Sequence, residues 1–270
     1  MVHSRHPASE PVSQSGLAFI GVLQMAQSRR NRLLEMLPKP EFEAVKPHLR
    51  EVVLEYRMPL YEAGEPITNV YFPVEGVASL VNTMADGSAS EVGTIGNEGV
   101  VGIPIILGDI MAPTTVYMQV PGNGLVIRAS ALRKILEESQ HTRRLMLHYV
   151  HAFFNQVAQS AACNHHHNLE QRCCRWLLMT HDRVQSDKFL LTQEFLAMML
   201  GVRRTGVTEV ASVLKKNGFI DYVRGHVTIL DRAGLEACSC ECYETSKREF
   251  DRLLGPAKGL QHSGLRYREA

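Results

Sequence analysis

The sequence lacks any long hydrophobic run. Its longest apolar stretch, residues 100–107, is broken by Gly102 and Pro104 and is much shorter than the ~20 residues of a membrane-spanning helix. Neither positive nor negative charge is in large excess, because 29 Lys and Arg are balanced by 28 Asp and Glu, for a formal net charge of +1. This excludes a global electrostatic attraction to nucleic acid or membrane, so any DNA affinity must come from a local basic surface.

Cysteine is absent from the first half of the chain, and the six cysteines that follow are unevenly spaced. Cys163 stands alone, Cys173 and Cys174 are adjacent, and Cys238, Cys240 and Cys242 occupy alternate positions. Neighbouring cysteines rarely form structural disulfides, so this pattern indicates a reducing, cytoplasmic setting rather than a disulfide scaffold.

Motifs of common enzyme classes are absent as well. There is no nucleophile elbow, P-loop or HExxH sequence. Gly93, Gly96, Gly99 and Gly102 recur every third residue, but they do not form the GxGxxG fingerprint and no long helix follows them. We interpret them as turn glycines, and we predict that the protein is not an enzyme and binds no cofactor.

Residue composition and hydrophobic periodicity divide the chain into distinct segments. Residues 1–28 are rich in Ser, Pro and His without periodicity, which predicts a mobile tail. From residue 52, short apolar runs alternate with turn signals about every eight to twelve residues, as is typical of an antiparallel β roll. Asp86-Gly87 is the clearest hairpin turn, and we expect type I′, in which both central residues have positive φ.

A helical period returns at Ala129. A short helix is followed by a longer one with apolar residues four, three and four positions apart: Met146, Val150, Phe153 and Val157. This narrow, coiled-coil-like spacing predicts the interface of a homodimer. Packing of the same residues against the chain's own β roll is the alternative.

Residues 192–220 have the pattern of a helix-turn-helix. Thr192 is a good N-cap, and Gly201 allows the left-handed residue that ends the first helix. Val207, Val210 and Leu214 supply the buried side of the second helix. Two short strands in 221–230, around Arg224-Gly225-His226, complete a winged helix with a basic wing.

The opposite face of the second helix is predicted to read DNA. Its polar and basic residues are concentrated at the N-terminal end: Arg203, Arg204, Thr205, Thr208 and Ser212. That end of a recognition helix enters the major groove, where arginine can donate two hydrogen bonds to guanine. Thr192 combines a hydroxyl with a helix N-terminus, which suits a DNA phosphate.

This order of elements resembles the Crp–Fnr transcription regulators over residues 29–230. In the roll, Gly64-Glu65, Tyr71-Phe72 and Gly76 match the glycine-framed turns of that family. The resemblance implies that Arg204 reads guanine in a two-fold symmetric operator and that Thr192 contacts phosphate. The acidic and basic residues that accompany this arginine in the family correspond to Thr205 and Glu209 here.

The chain lacks the sequence signatures of the two well-known signals that members of the family sense, a cyclic nucleotide and an iron–sulfur cluster. The Gly-Glu and Arg-Ser pairs of the cyclic-nucleotide-binding members correspond to Gly102-Ile103 and roughly to Ala112-Pro113. The N-terminal cysteine cluster of the iron–sulfur members has no counterpart before Cys163. The resemblance therefore implies the fold and the DNA-binding output and leaves the input signal open.

Cysteines and histidines cluster at 163–174 and at 238–242, which suggests another class of function. The spacing fits no familiar zinc template, so we expect solvated histidines beside reduced cysteines and no metal site. The alternative is a metal- or redox-binding sensor whose winged helix docks a protein instead of DNA.

We therefore predict an α+β chain with five segments. We predict that it acts as a homodimeric, sequence-specific transcription regulator. The segments are a tail (1–28), a β-roll sensor domain (29–138), a dimerisation helix (139–168), a winged helix-turn-helix (169–236) and a C-terminal extension (237–270). Its expected partners are double-stranded DNA, a second copy of the chain and RNA polymerase. An input at the roll or hinge would reorient two recognition helices, which fit a pseudo-palindrome when separated by ~34 Å.

Overall fold

The computed structural model describes residues 31–184 and 186–255, so the predicted tail at 1–28 lies outside the described residues. Two short helices, α1 (Arg32–Glu35) and α2 (Lys39–Val45), and a 3-10 turn (Lys46–His48) come first. Asn31 caps α1, since its side-chain oxygen accepts from the N–H groups of Leu33 and Leu34. Its amide also donates to the carbonyls of Pro73 and Gly99, which holds this segment on the roll.

The roll consists of two antiparallel sheets. Its strands are β1 (Arg50–Leu54), β2 (Pro59–Tyr61), β3 (Asn69–Pro73), β4 (Val77–Thr83), β5 (Ala89–Ile95), β6 (Thr115–Val120) and β7 (Gly122–Arg128). The strand orders are β1-β7-β3 and β2-β6-β4-β5. Val70, Phe72, Met118 and Ile127 fill the space between the sheets, as the alternating apolar pattern predicts.

The turn at Asp86-Gly87 joins β4 to β5, but it is not the predicted type I′ turn. Only Gly87 has a positive φ, at 82°. The Gly87 N–H donates to the carbonyl of Met84, and the Met84 N–H donates to that of Ser88. This is a three-residue hairpin loop with glycine in the left-handed position, in which Asp86 instead accepts from the Ser88 N–H.

The glycines spaced by three residues allow close packing, a role that their interpretation as turn glycines did not include. Gly96 and Gly99 do form a turn, in which the Gly99 N–H donates to the Gly96 carbonyl, whereas Gly93 lies inside β5. A Cβ on Gly93 would lie 2.7 Å from the Phe153 ring, and one on Gly99 would lie 2.4 Å from Tyr149. Gly96 is equally close to the side chain of Arg183. Any larger residue would push the following helices off the sheet.

Three helices accompany the roll: α3 (Ile103–Leu107), α4 (Ala129–Glu138) and the long α5 (Gln140–His166). The predicted dimer seam on α5 is wrong for Met146 and Phe153, which are only 1% and 7% exposed and belong to the roll's own core. Val150 and Val157 are partly buried against the same core. The helix packs so closely because Gly93 leaves room for the Phe153 ring.

The winged helix follows directly after α5. It comprises α6 (Leu169–Val184), β8 (Lys188–Leu190), α7 (Gln193–Leu200), α8 (Arg204–Lys216), β9 (Ile220–Val223) and β10 (His226–Ile229). The strands form an antiparallel sheet in the order β8-β10-β9. Leu177, Phe195, Val207 and Val227 form part of a second core.

The C-terminal extension returns to the roll. Its helices are α9 (Arg232–Cys238) and α10 (Cys242–Leu254), so the predicted boundary at 236/237 falls inside a helix. Helix α10 packs along α5, and its Phe250 and Leu254 enter the roll's core. Among the described residues, every helix is too short or too polar to cross a lipid bilayer.

Candidate nucleic-acid interface

Helices α7 and α8 form the predicted helix-turn-helix, with the predicted residues at both ends of α7. The Thr192 hydroxyl oxygen accepts from the Phe195 N–H at 3.2 Å and caps α7. Gly201 ends α7 with a left-handed φ of 63°, and the next residue donates its N–H to the Ala197 carbonyl. These contacts fix the angle at which α8 leaves the turn.

Glycine inside α8 has a packing role that the sequence did not reveal. A Cβ on Gly206 would lie 3.1 Å from Leu169 at the start of α6. The small residue therefore lets α8 approach α6 closely, although glycine costs a helix interior about 1 kcal/mol relative to alanine. Close packing on this side leaves the opposite face of α8 open to solvent.

All five residues predicted to read DNA from α8 and its N-cap are exposed: Arg203, Arg204, Thr205, Thr208 and Ser212. Two of them use their side-chain hydroxyl groups in hydrogen bonds within the chain. Thr208 Oγ1 lies 2.9 Å from the side-chain oxygen of Gln193, and the Ser212 hydroxyl donates to the Thr208 carbonyl at 2.8 Å. The arginines at the N-terminal end are therefore the better candidates for base contacts.

Arg204 forms an ion pair with Glu194 of α7, with a nitrogen–oxygen distance of 2.8 Å. Both side chains are more than half exposed. Exposed pairs of this kind contribute about 0–1 kcal/mol, so a guanine or a phosphate can displace Glu194 at little cost. Sequence reasoning missed this pair because the two residues belong to different helices.

The wing ends in a tight turn beside the start of α7. Arg224 and Gly225 have φ values of 47° and 78°, and Val223 pairs with His226, so this two-residue loop is type I′. The Gly225 carbonyl accepts from Leu191, which fixes the wing next to Thr192. Arg224 is exposed there, so the structure brings the predicted wing cation and the predicted phosphate contact together.

A buried polar network joins the roll to α5 and α6. Arg183 of α6 forms an ion pair with Glu98 at 2.8 Å and donates to the Gln156 side chain of α5 at 2.9 Å. The Gln156 amide donates in turn to the Thr94 carbonyl of β5. Losing one partner of such a buried pair typically costs about 3–5 kcal/mol, so the roll and the winged helix are firmly coupled here.

A second polar contact between the roll and α6 is centred on Glu91 of β5. The Trp176 ring N–H donates to one carboxylate oxygen at 2.9 Å, and the Ser79 hydroxyl contacts the other. Burial raises the pKa of Glu91 from its ordinary 4.5 to about 7, against the opposing effect of these hydrogen bonds. The carboxyl group therefore changes charge near neutral pH, at the contact between the roll and α6.

We predict that Glu91 makes the protein less stable as pH rises from 4.5 to 7. In this window the unfolded state has already lost the proton that the folded state keeps, so the free energy of unfolding falls by about 1–3 kcal/mol. In Glu91→Gln this decline should be absent when Tm is measured from pH 5 to 8. The exposed Glu65→Gln is the control, and identical profiles for Glu91→Gln and wild type would contradict the prediction.

The predicted cysteine and histidine groups are rearranged. Cys173 and Cys174 are buried in the second apolar core, and His165 and His166 are exposed. Cys163 and His167 instead lie beside Cys240 and Cys242 of the C-terminal extension. The sequence could not show this, because 73 or more residues separate the two halves of the cluster (240 minus 167).

The region that corresponds to a cyclic-nucleotide pocket is apolar. Ile105 and Ile106 of α3 are buried in the roll's core, as is Ala112, whereas Leu107 points into solvent. Pro104 lacks an N–H donor, and no arginine occurs between Arg57 and Arg128. These residues do not fit a cyclic phosphate, which needs a cation and backbone donors.

Comparisons with known proteins cover both halves of this architecture. Residues 52–139 match the cyclic nucleotide-binding domain, and residues 171–238 match the Crp-like helix-turn-helix domain. No curated protein matches the chain.

Two solved structures show the same fold. FixK2 from Bradyrhizobium japonicum is 15% identical, with a TM-score of 0.59 over 71% of this chain and 98% of that one. A CRP-family transcriptional regulator from Thermus thermophilus is 18% identical, with a TM-score of 0.58 over 70% of this chain and 95% of that one.

Proposed function

Because the chain belongs to the Crp–Fnr family of transcription regulators, we propose that it binds a two-fold symmetric DNA operator as a homodimer. Helix α8 enters the major groove with Arg203 and Arg204 toward the bases. Thr192 and the wing residue Arg224 contact the phosphates on either side of that groove. We also expect the bound dimer to act through RNA polymerase.

The exposure of Arg204 at the start of α8 is the observation that carries this proposal. Its side chain is 63% exposed and pairs with the solvent-exposed Glu194. The helix-turn-helix beneath it is rigid, because Thr192, Gly201 and Gly206 fix both helices. Because the helix that carries Arg204 is already ordered, binding guanine costs only the ordering of this side chain.

The second copy binds on the outer face of α5, not on the predicted seam. Phe154 is 67% exposed and Leu147 is 39% exposed, seven residues apart on one face. Ala158 and Ala161 continue the same exposed face, at spacings of four and three residues. An apolar stripe with this 3.5-residue period matches a parallel helix pair across a two-fold axis.

DNA binding and protein docking by the winged helix differ in their dependence on salt. If α8 binds DNA, the logarithm of the binding constant falls linearly with the logarithm of salt, with a slope of about −0.9 per phosphate contact. Fluorescence anisotropy of the full chain with labelled duplex DNA measures this slope. No binding to DNA at low salt would favour the alternative, a sensor whose winged helix docks a protein.

We predict that cyclic AMP does not bind in the roll. A buried phosphate without a cation costs several kcal/mol, and Ile103 and Ala112 occupy the positions at which related proteins have the ribose and phosphate contacts. Isothermal titration with cyclic AMP and cyclic GMP at physiological salt should show no saturable binding. Saturable micromolar binding of either, with stronger operator binding, would contradict this prediction.

A further inference from the structure

The end of helix α5 and the C-terminal extension form a cluster of three cysteines and one histidine. Cys163 lies in the last turn of α5, and His167 directly follows that helix and donates its N–H to the Cys163 carbonyl. Cys240 and Cys242 lie where α9 passes into α10. Their four ligand atoms are all within 4.8 Å of one another. The three cysteines are buried, and His167 covers the cluster from the solvent side.

We propose that Cys163, His167, Cys240 and Cys242 bind one zinc ion in a tetrahedral site. Zinc–sulfur bonds of about 2.3 Å place tetrahedral ligands about 3.8 Å apart. Here the Cys163 and Cys240 sulfurs are 3.5 Å apart, as are the Cys242 sulfur and the His167 Nδ1. Three cysteines and one histidine are a common ligand set for structural zinc.

The groups around the cluster orient its ligands as a metal site requires. The His167 Nε2 lies 3.2 Å from the Glu241 carboxylate, which leaves Nδ1 as the nitrogen that faces the sulfurs. A carboxylate on the far nitrogen is the usual partner of a metal-binding histidine. The Gln159 amide also donates to the Cys242 sulfur at 3.0 Å, a contact that stabilises a thiolate.

Charge balance is consistent with the same site. Zinc displaces three thiol protons to solvent and forms three zinc–sulfur bonds, while His167 binds through a neutral nitrogen, so the complex carries one net negative charge. Arg175 of α6 interacts electrostatically with Cys163, and so does Arg172. These cations offset the charge in a region where an unpaired one would be costly.

Other uses of the cluster explain fewer of its features. A disulfide between Cys163 and Cys240 would need their sulfurs about 2.05 Å apart and would leave Cys242 and His167 without a role. A four-iron cluster binds each ligand on a different iron, so its ligands would lie farther apart than these four atoms. Simple apolar packing, as for Cys173 and Cys174, does not account for Glu241 and Gln159.

Metal analysis of the full chain, purified without chelator, tests the proposal. We expect about one zinc ion per chain, and we expect Cys240→Ser and Cys242→Ser to lose it. Cys238→Ser is the matched control, because Cys238 belongs to the same alternating triplet but contacts Glu170 instead of the cluster. His167→Ala should lower zinc affinity, whereas the exposed neighbour His166→Ala should not.

Two further measurements keep the test decisive if a cysteine variant fails to fold. Wild-type protein stripped of metal and titrated with cobalt should gain a sulfur-to-metal charge-transfer absorption that saturates at one ion per chain. Glu241→Gln should weaken zinc binding about 10–100-fold and keep the stoichiometry. No stoichiometric binding of zinc or cobalt, iron with sulfide in its place, an oxidised Cys163–Cys240 pair, or zinc retained in Cys240→Ser would each overturn the proposal.

Discussion

Replacing Phe154 by glutamate should convert the protein to monomers and reduce operator binding by about 100-fold or more. In the proposed dimer the two copies of this residue meet across the two-fold axis, so the change would bury two carboxylates against each other. Each unpaired buried charge costs several kcal/mol, so we expect the two helices to separate. Light scattering measures the mass, and gel shift measures operator binding.

The control for Phe154→Glu is Leu107→Glu. Leu107 is also a large exposed apolar residue, but it lies on α3 and not on α5. This variant should remain dimeric and bind DNA like wild type. A dimer that survives Phe154→Glu would show that the interface lies elsewhere. Phe153→Glu would not test the interface, because Phe153 lies in the roll's core and its loss would damage the fold.

Replacing Arg204 by alanine should abolish the preference for the operator more than it weakens total DNA binding. A bidentate contact with guanine contributes about 1–3 kcal/mol of discrimination, or roughly a 5- to 150-fold preference. Phosphate contacts by other residues would maintain the baseline affinity. Binding constants for the operator and for scrambled DNA, measured at one salt concentration, give the ratio that decides this.

Lys216→Ala is the matched control, since Lys216 is exposed at the other end of α8. Its loss should weaken binding to both DNA sequences equally and reduce the salt slope by about one contact. If Arg204→Ala keeps the wild-type ratio between the two DNAs, Arg204 does not read a base.

The winged helix could be predicted well from the sequence because its signals are local. A hydroxyl at an N-cap, a glycine at a helix end and apolar residues at helical spacing each act within a few residues. Thr192, Gly201 and Val207 accordingly have the predicted roles. The wing strands followed from the same short-range pattern, around Arg224-Gly225.

Features that depend on distant partners could not be predicted in this way. Met146 and Phe153 have the spacing of a dimer seam, but Gly93 and its neighbours let α5 pack so closely that these side chains fill the roll instead. The type I′ turn was predicted at Asp86-Gly87, whereas the structure has it at Arg224-Gly225.

The cysteine cluster was missed for the same reason. Cys163 and Cys240 meet only because α10 returns along α5, and that return depends on long-range contacts of Phe250 and Leu254. A spacing rule applied along the sequence cannot detect ligands that come from separate helices.

Selection of bound sequences from a random pool of duplex DNA by the full chain tests the central claim most directly. The account predicts enrichment of a two-fold symmetric sequence with guanine in each half-site, the half-sites being separated by about 10 base pairs, one helical turn. The guanine should lose its preference when Arg204→Ala is used in the same selection. No enrichment, or enrichment of a single asymmetric site that Arg204→Ala leaves unchanged, would contradict the account.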